Sequence, residues 1–168
     1  MSSKSFIYIS LAIMSLMIAL YVLSHHFVLQ ISDSLPCGIY IKKNISGTIN
    51  INQLVLHELS PEIKTFMIDR QWIPGHLNYY LMKPIAAKKG DHIKVNTDGV
   101  YINNEYKGPV KQIDQNGQKL PQFIFNGVLE KDTYFLLAPM HNSFDSRYFG
   151  PVHRKSILAI VEPFIVFP

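Results

Sequence analysis

Cysteine is nearly missing from this sequence. Cys37 stands alone among 168 residues, so no internal disulfide can brace the fold in any redox compartment. A lipid-modified cysteine is excluded by context, because a small residue is expected directly before one and Pro36 occupies that place. Metal-ligand spacing is lacking as well: His141 has no partner at a suitable interval, and His25-His26 falls at the end of an apolar run. There is no repeat and no low-complexity tract. The 16 lysines and arginines outnumber 12 acids, but they lie scattered in pairs such as Lys42-Lys43 and Lys88-Lys89. Scattered pairs describe a solvated face, not a nucleic-acid groove. No cofactor, metal or nucleic-acid partner is expected.

Charge is absent altogether from Ser5 to Ser24. As a helix this stretch would run about 30 Å, the hydrocarbon thickness of a bilayer. The apolar core of a cleaved secretory signal is shorter and ends in a small-x-small site, whereas this segment leaves through Leu23-Ser24-His25-His26-Phe27. A retained anchor is therefore expected. Lys4 and the amino terminus are the positive charges before it, which places residues 1–4 in the cytoplasm, 5–24 across the membrane and 25–168 outside. The net charge of +4 adds a weak attraction to anionic lipid. With 48% hydrophobic residues, the chain suffices for that anchor and one globular domain.

Beyond the anchor the composition is that of strands. Gly38–Ile41 and Ile49–Leu56 are short runs rich in β-branched residues, separated by the turn Asn44-Ile45-Ser46-Gly47. Ser60-Pro61-Glu62 supplies an N-cap, a first-turn proline and a first-turn acid, which predicts a short helix over Ile63–Arg70, ended by Trp72-Ile73-Pro74-Gly75. Asp91–Val95 leads through Asn96-Thr97-Asp98-Gly99 into Val100–Ile102, a hairpin signal. Thr133–Ala138 and Ile157–Val161 read as buried strands. The expected fold is mainly β, a compact antiparallel domain with one short helix, tethered by a single N-terminal transmembrane helix.

The candidate chemistry starts at Ser34, about ten residues past the apolar segment. A serine hydroxyl is a poor nucleophile until a base takes its proton, and a lysine serves if burial keeps its amine neutral. Lys83 fits that need. It is the one cation in the apolar run Tyr79–Ala87, whereas Lys42, Lys43, Lys88 and Lys89 occur in solvated pairs. The competing picture is an edge-strand lysine whose ammonium reaches water. Ser32 could join the main-chain N–H of Ser34 in an oxyanion hole, or be part of a plain polar turn. In the segment 142–147, Ser143 could hydrogen-bond the lysine amine, and Asp145 and Arg147 could pair to shape a loop. Taken alone, that stretch reads as a solvent loop whose ion pair contributes little.

Three strings then carry a family resemblance: Ser-x-Ser-x-Pro-x-Gly-x-Tyr at Ser32–Tyr40, Tyr-Leu-Met-Lys before Gly90-Asp91, and Ser-Phe-Asp-Ser-Arg-Tyr-Phe-Gly-Pro-Val at Ser143–Val152. With the anchor and the segment 114–121, they resemble the bacterial type I signal peptidases, and most closely the TraF-type peptidases of conjugative transfer. The resemblance implies a Ser/Lys endopeptidase on the outer side of the cytoplasmic membrane. Its nucleophile would be Ser34, its general base Lys83, its oxyanion donors Ser32 and Ser34, and its supporting residues Ser143, Asp145 and Arg147. Its implied partners are a pilin or other secreted precursor, the bilayer, and further conjugation or secretion components. A housekeeping leader peptidase and a catalytically silent subunit of a secretion complex are the alternatives. Two departures stand out: Pro84 where a basic residue commonly follows the lysine, and Lys88-Lys89 where Leu-Pro is common in leader peptidases.

Overall fold

The computed structural model describes residues 3–32, 34–76 and 79–167. A long helix, α1 (Ser3–His26), comes first. Its stretch Ser5–His26 has a mean hydropathy of 2.4, long and apolar enough to cross a membrane, and none of it is buried in the protein. The chain passes directly into strand β1 (Phe27–Gln30), then through the loop carrying Ser34 into β2 (Gly38–Lys43). After β3 (Leu54–Glu58) and helix α2 (Pro61–Asp69) come β4 (Tyr80–Lys88), β5 (His92–Asn96), β6 (Gly99–Ile102) and β7 (Glu105–Gly108). The rest comprises β8 (Phe125–Val128), β9 (Thr133–Leu136), the helical turn α3 (Ser146–Phe149), β10 (Val152–His153) and β11 (Ile157–Val166).

Two antiparallel sheets result. The larger has seven strands in the order β1-β2-β11-β3-β4-β9-β10, and the smaller has four in the order β7-β6-β5-β8. Between them lies one apolar cluster drawing Ala87 and Phe135 from the large sheet and Ile93, Val95, Val100 and Ile102 from the small one. The expected hairpin forms with Asn96 paired to Gly99. The side chain of Asn96 closes its turn by accepting the N–H groups of Asp98 and Gly99.

Local chemistry explains where the structure departs from the sequence reading. The strand expected from Ile49 starts only at Leu54. Ile49 is fully buried, but Asn50–Gln53 folds into a turn: Gln53 N–H donates to the Asn50 carbonyl at 3.2 Å, Asn50 N–H donates to Gln53 Oε1 at 2.6 Å, and Asn52 takes φ 68°. Local amide bonds outcompeted the ladder there. Helix α2 is capped as expected, with the Ser60 hydroxyl accepting from Ile63 N–H. It stops before Trp72-Ile73-Pro74-Gly75 because Gln71 adopts φ 58° and the N–H groups of Gln71 and Trp72 turn back to the carbonyls of Ile68 and Met67. A further helical turn, α3, begins at Ser146, within the stretch that alone read as a solvent loop.

The edge of the large sheet that continues from α1 has an uncovered apolar face. Leu29, Ile39 and Ile165 form one cross-strand row and Phe27 and Ile41 lie in the next but one. The Phe164 ring meets that of Phe27 at 5.2 Å. Leu29, Phe164 and Ile165 are exposed, while the opposite face carries buried Tyr40.

Candidate active site

Strand β4 sits inside the large sheet, hydrogen-bonded between β3 and β9, with Lys83 opposite Val55. Lys83 is thus no edge-strand lysine, and it is only 4% exposed. Proline at the next position is unusual for an interior strand. The Pro84 carbonyl accepts from Leu137 N–H at 3.2 Å, just past the last residue of β9. Its missing N–H points the same way, away from β3, so the ladder to β3 loses no bond.

Ser34 is held in the loop between β1 and β2. The string Ser-x-Ser-x-Pro-x-Gly-x-Tyr has a physical reading here. Gly38 lets β2 lie against β11, since a Cβ on it would collide with the Ile165 carbonyl oxygen. Tyr40, 2% exposed, donates its hydroxyl to the Pro36 carbonyl at 2.9 Å and ties down the far end of the loop. Within the loop, Ser34 Oγ lies 2.8 Å from Lys83 Nζ and 3.0 Å from Ser32 Oγ. Residues 34 and 83, 49 positions apart, meet at hydrogen-bond distance.

Burial is the main influence on the Lys83 ammonium and pushes its pKa down to about 8 from the ordinary 10.5. The Asp145 carboxylate raises it and the Arg147 guanidinium lowers it further. Those two residues are themselves paired: Arg147 Nε donates to Asp145 Oδ1 at 2.7 Å and Nη2 to Oδ2 at 3.1 Å, with both side chains almost wholly buried. The surface pair expected from sequence is therefore an interior one. Asp145 Oδ2 accepts from Ala138 N–H and the Ser146 hydroxyl accepts from Leu136 N–H, while Arg147 donates to the carbonyls of Ala138, Pro109 and His141. The Asp-Ser-Arg triplet thus satisfies backbone groups that β9 exposes as it leaves the sheet. Ser143 is buried, but its hydroxyl has no hydrogen-bond partner among the described residues, and the expected bond to Lys83 is not made.

Two polar residues escaped the sequence reading. Gln30, 8% exposed at the end of β1, donates its amide to Ser32. A strict period-two reading of Val28-Leu29-Gln30 would have put it on the inner face with Val28. His57, 3% exposed on β3, stacks on Phe149 at 5.9 Å, and its Nδ1 is unpartnered among the described residues. Burial pushes its pKa down from 6.5 to about 4. A folded-state pKa below the unfolded one means that stability is complete above pH 6.5 and is lost as pH falls toward 4. Between pH 7.5 and 5 the loss from this residue should be about 2 kcal/mol. Denaturant titration of full-length protein in detergent should show that loss shrinking in His57→Phe; an equal loss in both proteins would remove His57 as its source.

Comparison with known proteins shows the family. The family model for the signal peptidases, peptidase S26, matches residues 3–166. A plasmid transfer protein TraF of Escherichia coli is 36% identical over 93 residues, covering 52% of this chain and 52% of that protein. The chain therefore spans about half the length of this relative. Another plasmid transfer protein TraF of Escherichia coli is 26% identical over 153 residues, with 81% of each chain covered. Signal peptidase I V of Bacillus subtilis strain 168 is 25% identical over 122 residues, covering 66% of this chain and 73% of that one. With the family match extending over nearly its whole length, anchor-like helix included, this chain belongs to the signal peptidases of family S26.

Proposed function

We propose that this protein is a membrane-anchored serine endopeptidase that removes the leader from an exported precursor, with Ser34 as nucleophile and Lys83 as general base. The observation that carries the reading is the 2.8 Å contact between Ser34 Oγ and the buried Lys83 Nζ. In this reading Ser34 Oγ attacks the scissile carbonyl carbon while Lys83 takes its proton. The oxyanion is met by the Ser34 N–H and the Ser32 hydroxyl. Lys83 then hands the proton to the leaving amine; water, deprotonated by the Lys83 amine, attacks the acyl carbon, and Lys83 returns that proton to Ser34 Oγ as the acyl group leaves. Asp145 and Arg147 act at a distance, by holding the wall beside Lys83. The role of Ser143 as a support for Lys83 rests on the family resemblance.

The plasmid transfer names of two relatives favour a conjugative setting; a pilin precursor as substrate and a type IV secretion system as its context rest on the family resemblance. An acyl-enzyme of this kind can pass its acyl group to water or to the substrate's own amino terminus, which would close a ring. Residues 1–4 would lie in the cytoplasm, 5–24 in the membrane and 25–168 on the extracytoplasmic side. The apolar face of β1, β2 and β11 continues from α1 and would rest on the lipid surface.

The pH profile tests the base. Only the neutral amine accepts a proton, so kcat/KM should rise tenfold per pH unit and level off above about 8, the position of Lys83. At pH 6 it should be roughly a hundredfold below the plateau. Lys83→Arg should be inactive at every pH, because guanidinium stays charged. A flat profile from pH 6 to 9, with chemistry rate-limiting, would remove Lys83 as base.

A further inference from the structure

Gln30 donates to Ser32 at two of its oxygens. Gln30 ends edge strand β1, is 8% exposed, and sits beside Ile31 and Ser32, which are both exposed. Its Nε2 lies 2.8 Å from the Ser32 carbonyl oxygen and 2.8 Å from Ser32 Oγ. A carbonyl can only accept, so the atom facing it must be the amide nitrogen, which fixes the orientation of the carboxamide. The amide group thus donates to both the carbonyl and the hydroxyl of Ser32. With the Gln30 amide held against one lone pair of Ser32 Oγ, the Ser32 O–H cannot point toward Gln30 and is left to turn elsewhere, and Ser34 Oγ lies 3.0 Å away, where either hydroxyl can donate.

We propose that Gln30 is a positioning residue that holds the Ser32 hydroxyl as a donor toward the reacting centre at Ser34. The inference rests on the Ser34/Lys83 reading and deepens it. In the resting enzyme the Ser32 O–H points at Ser34 Oγ and leaves the Ser34 proton free to face Lys83. When Ser34 Oγ bonds to the substrate carbon, the same O–H needs only a small rotation to meet the oxyanion growing on that carbon. Without Gln30 the hydroxyl of exposed Ser32 rotates among staggered positions. In one of them it accepts from Ser34 and draws the proton away from the base. Preorganised donors are effective because they need no reorientation as charge develops.

The test uses full-length enzyme in detergent, a soluble peptide substrate and pH 9, where Lys83 is neutral. Four proteins are compared with the parent: Gln30→Met, which keeps length and apolar volume but has no donor, Ser32→Ala, the double variant, and Ser34→Ala. Gln30→Met should lower kcat about tenfold to a hundredfold with KM nearly unchanged, and Ser32→Ala about a hundredfold or more. In the Ser32→Ala background Gln30→Met should cost less than about twofold, because the hydroxyl it orients is gone. An equal cost in both backgrounds, or full kcat in Gln30→Met while Ser32→Ala is impaired, overturns the proposal and leaves the dyad standing. Full activity in Ser32→Ala overturns the oxyanion assignment and this proposal with it. Activity in Ser34→Ala would overturn the dyad itself.

Discussion

Ser34→Ala and Lys83→Met should each lower precursor processing by at least about 10⁴-fold, and the double variant should be little worse than either. Nucleophile and base act on one proton, so removing either already forfeits the whole unit. Methionine is the better replacement at position 83. Lys83 is 4% exposed inside the large sheet, and alanine there would open a cavity costing several kcal/mol. Methionine fills the same channel without the amine. Mass spectrometry of the substrate after incubation checks the result, with circular dichroism to confirm that the variants are folded. Cleavage by folded Ser34→Ala at the parent bond would end the assignment, and additive losses in the double variant would separate Lys83 from Ser34.

The other large effect is expected at Arg147. Arg147→Met removes the guanidinium from a pair with almost no exposure and strands the Asp145 carboxylate in the interior. Breaking such a pair from one side costs about 3–5 kcal/mol. The guanidinium also donates to the carbonyls of Ala138, Pro109 and His141, which would lose a partner together. A second readout distinguishes this site from an ordinary core lesion. Arg147 lowers the Lys83 pKa and Asp145 raises it, so the variant should move the alkaline rise of kcat/KM upward in pH. Denaturant titration and a pH profile on the same preparation test both halves. A destabilised variant with an unmoved profile would limit Arg147 to scaffolding.

How far the sequence could be read depended on which residues carried local signals. The meeting of Ser34 and Lys83 was legible because a lone cation in an apolar run and a serine in a short loop just past an apolar segment are chemically odd; their catalytic roles belong to the proposed function. The hairpin at Asn96–Gly99 and the Ser60 cap were legible because turn and cap chemistry is short-range. The Asp145–Arg147 pair was misjudged as superficial. Its burial depends on β9 ending at Leu136 and needing acceptors for the N–H groups beyond, which only tertiary structure shows. His57 and Gln30 were missed because each is an ordinary polar residue in a strand until its neighbours enclose it. The false start of β3 at Ile49 came from counting apolar alternation through Asn50-Ile51-Asn52, where the amides preferred each other.

No linker separates the long apolar helix from the sheet, since α1 ends at His26 and β1 begins at Phe27. Lys42 Nζ reaches back to the Ser24 carbonyl at 3.0 Å across the junction, and the rings of Phe27 and Phe164 meet beside it. Helix and sheet edge therefore move together as a lever, with Ser34 a few strand residues along it, about 13 Å from the helix end to the end of β1. On the proposed placement, any tilt of the helix swings the serine. Helices tilt to match the thickness of the bilayer that holds them, so lipid chain length would become a determinant of which peptide bond lies level with Ser34.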